Sequence, residues 1–127
     1  TATTEIYTLP LHDALPIYLC AFVDLNGLQI DGTTEEVLNT ASIADKFRAF
    51  NWNVIEIDGH DFRAIKAAVD LSKQTKGKPT MIVAKTVKGN GVSYMEDSVG
   101  WHGKAPNAEE YAQAVKELEA AKAELDN

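Results

Sequence analysis

The sequence has 127 residues, 45% of them hydrophobic and 24% charged, with a formal net charge of −7. That is enough chain for one modest globular core. The acidic balance argues against a general role on nucleic acids or membrane surfaces, since both need a basic face, and no apolar stretch approaches the roughly 18 residues that span a bilayer.

The first stretch, TATTEIYTLPLHDALPI, follows neither a helical nor a strand period and lacks the layout of a signal peptide. It closely resembles the in-frame translation of a synthetic DNA-sequencing adapter, with Pro10 the one departure. Residues 1–17 are therefore expected to be an artefact tail without chemical meaning, His12 and Asp13 included. Residues 18–127 are read as one partial domain. The acidic balance survives without the tail, whose charged residues are Glu5 and Asp13.

Residues 19–23, LCAFV, form a short continuous apolar run, as expected of a strand buried on both faces. The single cysteine, Cys20, lies in it and reads as a small buried hydrophobe of a reducing, cytoplasmic compartment. A loop with two glycines follows, DLNGLQIDG. Thr33 or Thr34 is suited to cap a short turn, and Ser42 with Asp45 resembles a capping box before a helix whose apolar face is Ile43, Phe47 and Phe50. Trp52 is expected in the core. Residues 54–57, VIEI, read as a second strand, closed by DGHD. Asp61 is the expected cap of a helix carrying Ile65, Ala68, Val69 and Leu71, which stops at KGKP. A third strand occupies residues 80–85. Asn107, with Glu110 three residues on, opens a last helix bearing Tyr111, Val115, Leu118 and Leu125.

Strands alternating with helices predict an α/β fold, an open parallel sheet with flanking helices and right-handed crossovers. Parallel order brings the loops after all three strands to one carboxyl edge, where such sheets bind ligands. Asn26, Asp58, His60, Lys88 and His102 are thereby expected on one rim.

The stretch 84–106, AKTVKGNGVSYMEDSVGWHGKAP, is long for a connection in a compact domain. Its glycines would let backbone amides approach an anion, Lys88 supplies charge, and His102 exchanges a proton near neutral pH. Each feature has a plainer reading: Lys88 as a solvated lysine, His102 as a structural histidine, the stretch as a surface loop. Asp24, Asn26 and Asp31 offer hard oxygen ligands for Mg2+ or Ca2+, yet turns favour the same residues. Glu96 and Asp97 are taken as exposed.

VDLNGLQIDGTTEEV, FNWNVIEIDGHD, AKTVKGNGVSYMED and GWHGKAPN, in this order and spacing, resemble the amino-terminal, thiamine diphosphate-binding part of transketolases, above all forms in which that part is a separate subunit. The resemblance covers residues 19–118. It implies thiamine diphosphate and Mg2+ as cofactors and transfer of a two-carbon ketol unit between sugar-phosphate substrates. It also implies Asn26 and the Leu28 carbonyl as metal ligands, and Asn26, Lys88 and His102 at the cofactor, with His102 also catalytic. A carboxyl-terminal domain or subunit, in a dimeric or heterotetrameric assembly, is the implied partner; no nucleic acid or membrane is. The family's Gly-Asp-Gly element and activating glutamate are not found in this sequence, so the chain alone is expected to be inactive. The competing expectation is a non-enzymatic, flavodoxin-like α/β module that binds a phosphorylated ligand or a partner.

Overall fold

A computed structural model describes residues 19–125, and the adapter-like segment 1–17 lies outside them. In chain order the elements are β1 (Cys20–Leu25), β2 (Leu28–Gln29), β3 (Gly32–Thr33), α1 (Thr34–Leu38), α2 (Ile43–Ala49), β4 (Asn53–Asp58), α3 (Phe62–Gln74), β5 (Thr80–Lys85) and α4 (Ala108–Leu125). They form two units, one of residues 19–25 and 42–85, the other of residues 26–41 and 86–125.

The first unit is the expected parallel sheet, in the order β1-β5-β4. β5 is central and its sequence, TMIVAK, is buried at every residue but Lys85. Removing such side chains from water contributes about 1.5–3 kcal/mol apiece. On one face Met81 and Val83 of β5 meet Ala21, Val23 and Val54 from the flanking strands. Ala44, Ile43 and Phe47 of α2 close over them, with Trp52 packed alongside. Phe47 and Trp52 meet edge-on at 5.2 Å, so Trp52 belongs to the core as expected. α3 carries buried Ala68 and is capped by Asp61, which accepts from the N–H groups of Arg63 and Ala64 at 2.8 and 3.2 Å. Leu25, Lys85 and Asp58 are register partners, so all three strands end level at their carboxyl edge.

Three readings of this unit need correction. Cys20 is exposed, because β1 alternates: Ala21, Val23 and Leu25 take the packed face, while Cys20 and Phe22 take the other. The strand buried on both faces is β5, not β1. Phe50 is 78% exposed. Helix α2 stops at Ala49 and the chain reverses at Asn51, φ 63°, so Phe50 falls outside the helical period that would have turned it inward. Ser42 does cap α2, accepting from the Asp45 N–H at 3.1 Å, but Asp45 pairs with Arg48 at 2.8 Å. Leu71 of α3 is also half exposed.

The second unit begins where the chain leaves β1. Leu28–Gln29 and Gly32–Thr33 pair as a small antiparallel hairpin inside what the sequence suggested was irregular loop. Thr33 then caps α1 through a complete capping box with Glu36. The chain returns to this unit after β5, and residues 86–107 lie folded against α4 rather than loose. Val92 of the loop and Ala114 of α4 are buried, while Tyr111, Leu118 and Leu125 are exposed, against the apolar face expected of them. Among the described residues, no helix is long and apolar enough to cross a membrane.

Candidate functional site

A cavity of about 270 Å³ lies within the second unit, lined by Asn26, Leu28, Gln29, Ile30, Lys88, Val99 and His102. Each wall is fixed by local chemistry. Asn26 Oδ1 accepts the N–H of Leu28 at 2.9 Å, a side-chain turn that leads the chain into β2. The Gly27 carbonyl accepts the N–H of Thr34 at 2.8 Å and ties that turn to the start of α1.

Lys88 and His102 arrive from the long loop, which is held by its own turns. The Lys88 carbonyl accepts the N–H of Asp97 at 3.0 Å, closing residues 88–97 on themselves. A 3₁₀ turn at Val99–Trp101 follows, and the His102 N–H donates to the Val99 carbonyl at 3.0 Å. The loop is moored to α4 by Ser93, whose N–H and hydroxyl both donate to Glu117 at 2.7 Å, and by the Tyr94 hydroxyl, which donates to the Glu110 carbonyl at 2.6 Å.

Electrostatics set the cavity apart from the rest of an acidic chain. No carboxylate lines it. Half-buried Lys88 makes no ion pair with a described residue, and neither does the imidazole of His102. Nearby acids are engaged elsewhere: Glu96 accepts the N–H of Gly91 at 2.9 Å, and hydrogen bonds from Ser93 hold the Glu117 carboxyl below its ordinary range. An uncompensated ammonium beside amide and imidazole donors suits an anion. Leu28, Ile30 and Val99 add apolar surface, and the volume falls just under the range usual for a whole small-molecule site.

Asn26, Leu28, Lys88 and His102, far apart in sequence, are thus brought to one cavity. Asp24 and Asp31 do not line it, and Asp58 and His60 belong to the first unit, where Asp58 Oδ1 accepts the His60 N–H at 2.8 Å. The two glycines of the loop serve packing instead of presenting amides to an anion. Gly91 spends its N–H on Glu96, and Gly89, φ 74°, lies so close to Met95 that a Cβ would meet the Met95 carbonyl oxygen at 2.5 Å. Gln29, Ile30 and Val99 were missed as lining residues. The Asp31-Gly32 pair was the one sequence hint of the hairpin that brings Gln29 and Ile30 there.

The profile of the family described as transketolase, thiamine diphosphate binding domain, matches residues 4–124. The chain belongs to this family. One of the two subunits of an apulose-4-phosphate transketolase from Phocaeicola vulgatus is 43% identical over 100 residues, which is 79% of this chain and 36% of that protein. A 6-deoxy-6-sulfo-D-fructose transketolase subunit from a Clostridium species is 43% identical over 102 residues, 80% of this chain and 37% of its own. Transketolase 2 of Escherichia coli is 41% identical over 101 residues, 79% of this chain and 15% of its own. Among solved structures, the Pichia stipitis transketolase complex with sedoheptulose-7-phosphate superposes with a TM-score of 0.72 at 30% identity, covering 79% of this chain and 15% of that one. The transketolase domain described here therefore spans about a third of the length of the matched subunits and about a sixth of the longer relatives. Family membership favours an enzyme part over a flavodoxin-like module.

Proposed function

We propose that this chain is the diphosphate-holding part of a transketolase, which moves a two-carbon ketol unit from a ketose phosphate to an aldose phosphate with thiamine diphosphate and Mg2+. The observation that carries the reading is the cavity lined by Asn26, Leu28, Lys88 and His102, with an unpaired ammonium and no carboxylate. Dense anions are held by such groups.

The donor set fits part of a magnesium site. Asn26 Oδ1 accepts one hydrogen bond, from Leu28, and keeps a second lone pair. The Leu28 carbonyl is the second oxygen in this proposal. Two neutral oxygens suit Mg2+ only when diphosphate oxygens, waters and a further carboxylate complete the shell. Among the described residues no group of three His, Cys, Asp or Glu side chains could hold a metal, so that carboxylate belongs to another part of the parent protein.

Bound thiamine diphosphate supplies the carbanion chemistry of ketol transfer. The chain's own residues bind and orient. Lys88 neutralises phosphate charge, and Asn26 joins cofactor to metal. His102 donates a hydrogen bond where negative charge grows on the substrate oxygen, catalytic work suited to an imidazole near neutral pH. Completion of the site needs the remainder of a transketolase, as a further domain or as a separate partner chain. The second arrangement is in keeping with the two bacterial relatives that are themselves transketolase subunits. The isolated chain then shows no turnover with sugar phosphates. A cytoplasmic setting is part of the same proposal.

Calorimetric titration of the chain with thiamine diphosphate, with and without Mg2+, tests the reading. Binding should require Mg2+ and should weaken by at least about tenfold in Asn26→Ala. Equal binding with and without the metal, unaffected by Asn26→Ala, would count against it.

A further inference from the structure

Within the second unit, four residues close a ring beside the segment that carries His102. Lys104 Nζ donates to Glu110 Oε1 at 3.1 Å and lies 4.0 Å from the centroid of the Trp101 ring. The Trp101 indole N–H donates to the Tyr94 carbonyl at 2.9 Å, and the two rings sit 5.1 Å apart. The Tyr94 hydroxyl returns to Glu110 through its backbone carbonyl at 2.6 Å. The other carboxylate oxygen, Glu110 Oε2, accepts the Asn107 N–H at 2.7 Å and completes the cap of α4. One carboxylate thus joins the start of a helix, an ammonium and, through that ammonium, an indole.

His102 directly follows that indole. It is exposed, and its imidazole makes no hydrogen bond or ion pair to a described residue. Packing on its own ring cannot fix where it points. What locates it is the backbone of the 3₁₀ turn, and the orientation of that turn follows the Trp101 side chain, held by an N–H bond at one edge and a cation over its face. We propose that Lys104 and Glu110 are positioning residues for His102, acting through the Trp101 ring. Simple stabilisation explains the arrangement poorly. The Lys104 side chain is 53% exposed, and ion pairs between such groups contribute little by themselves. A cation over the face of tryptophan, the best of the aromatic partners, instead fixes an orientation. The importance of His102 rests on the function proposed above, whereas its positioning by this ring does not.

The test is nuclear magnetic resonance on the isotope-labelled 127-residue chain. The Trp101 indole N–H and His102 ring signals are identified with Trp101→Phe and His102→Asn, and the Trp52 indole reports on the first unit. Lys104→Gln should displace both the Trp101 and the His102 signals and leave Trp52 in place, and Lys104→Arg, which keeps a cation over the ring, should restore them. Glu110→Gln should displace the same two signals. A His102 ring unmoved by Lys104→Gln, or one displaced equally by Lys104→Arg, would overturn the proposal. Affinity for thiamine diphosphate with Mg2+ should fall about twofold to fivefold in Lys104→Gln. If His102→Asn leaves that affinity unaltered while Lys104→Gln still moves the imidazole, the positioning stands and the cofactor-side reading of His102 fails.

Discussion

Glu117 holds Ser93 twice, taking the backbone N–H on one carboxylate oxygen and the hydroxyl on the other, both at 2.7 Å. Gln113 donates to the same carboxylate at 2.8 Å and keeps it aimed at the loop. This grip moors residues 86–107 to α4. Charge-assisted hydrogen bonds are the stronger kind, so Glu117→Gln should leave the helix intact and free the loop. Amide hydrogen exchange at Ser93 should quicken by about threefold to tenfold, with little change at the amides of β5.

The same carboxylates make the mooring sensitive to acid. Hydrogen bonds hold Glu117 and Glu110 below the ordinary value of 4.5, from the Ser93 N–H first for the one, and from the Asn107 N–H and then Lys104 for the other. Groups lowered on folding contribute stability that is complete above the unfolded value and is lost as pH falls through the folded one. Loop exchange should therefore be flat from neutral pH down to about 4.5 and rise below it. Glu117→Gln should remove most of the pH-dependent part at Ser93.

Gly89 and Gly27 separate two costs. Both have φ of 74°, but a Cβ at Gly89 would strike the Met95 backbone, while one at Gly27 meets nothing within 4 Å. Gly27→Ala should cost only the left-handed backbone, about 1–2 kcal/mol. Gly89→Ala should cost that and a backbone displacement as well, at least about 1 kcal/mol more. Thermal unfolding of the two variants gives the comparison, and equal midpoints would contradict it.

Ile82 is fully buried at the middle of β5, with Phe22 and Ile55 as its register partners. Ile82→Ala should destabilise by about 2–5 kcal/mol and Ile82→Val by about 0.5–1.5 kcal/mol. Chemical denaturation measures both.

The sheet was legible because its signals are local. A β-branched run, a helix cap and a glycine-proline stop declare themselves within a few residues, and all three long strands lay within two residues of where such runs placed them. Burial was less legible. Phe50 and Cys20 are apolar in apolar surroundings, yet one misplaced helix end and one alternating strand decide that both are exposed. The hairpin of Leu28–Gln29 with Gly32–Thr33 was missed because it is too short for a period to show. At the cavity, Asn26, Lys88 and His102 could be named from resemblance and from residue chemistry. The partners that orient them, Glu117 and the ring around Trp101, depend on contacts between loop and helix that spacing along the chain does not encode.

The second unit is discontinuous, one part preceding α2 and the other following β5. A ribosome therefore delivers the Asn26 hairpin early and the segment bearing Lys88 and His102 only after every strand of the sheet has been made. A product stopped before Thr86 would own a whole sheet and half a cavity, so the anion pocket is among the last features a nascent chain can acquire.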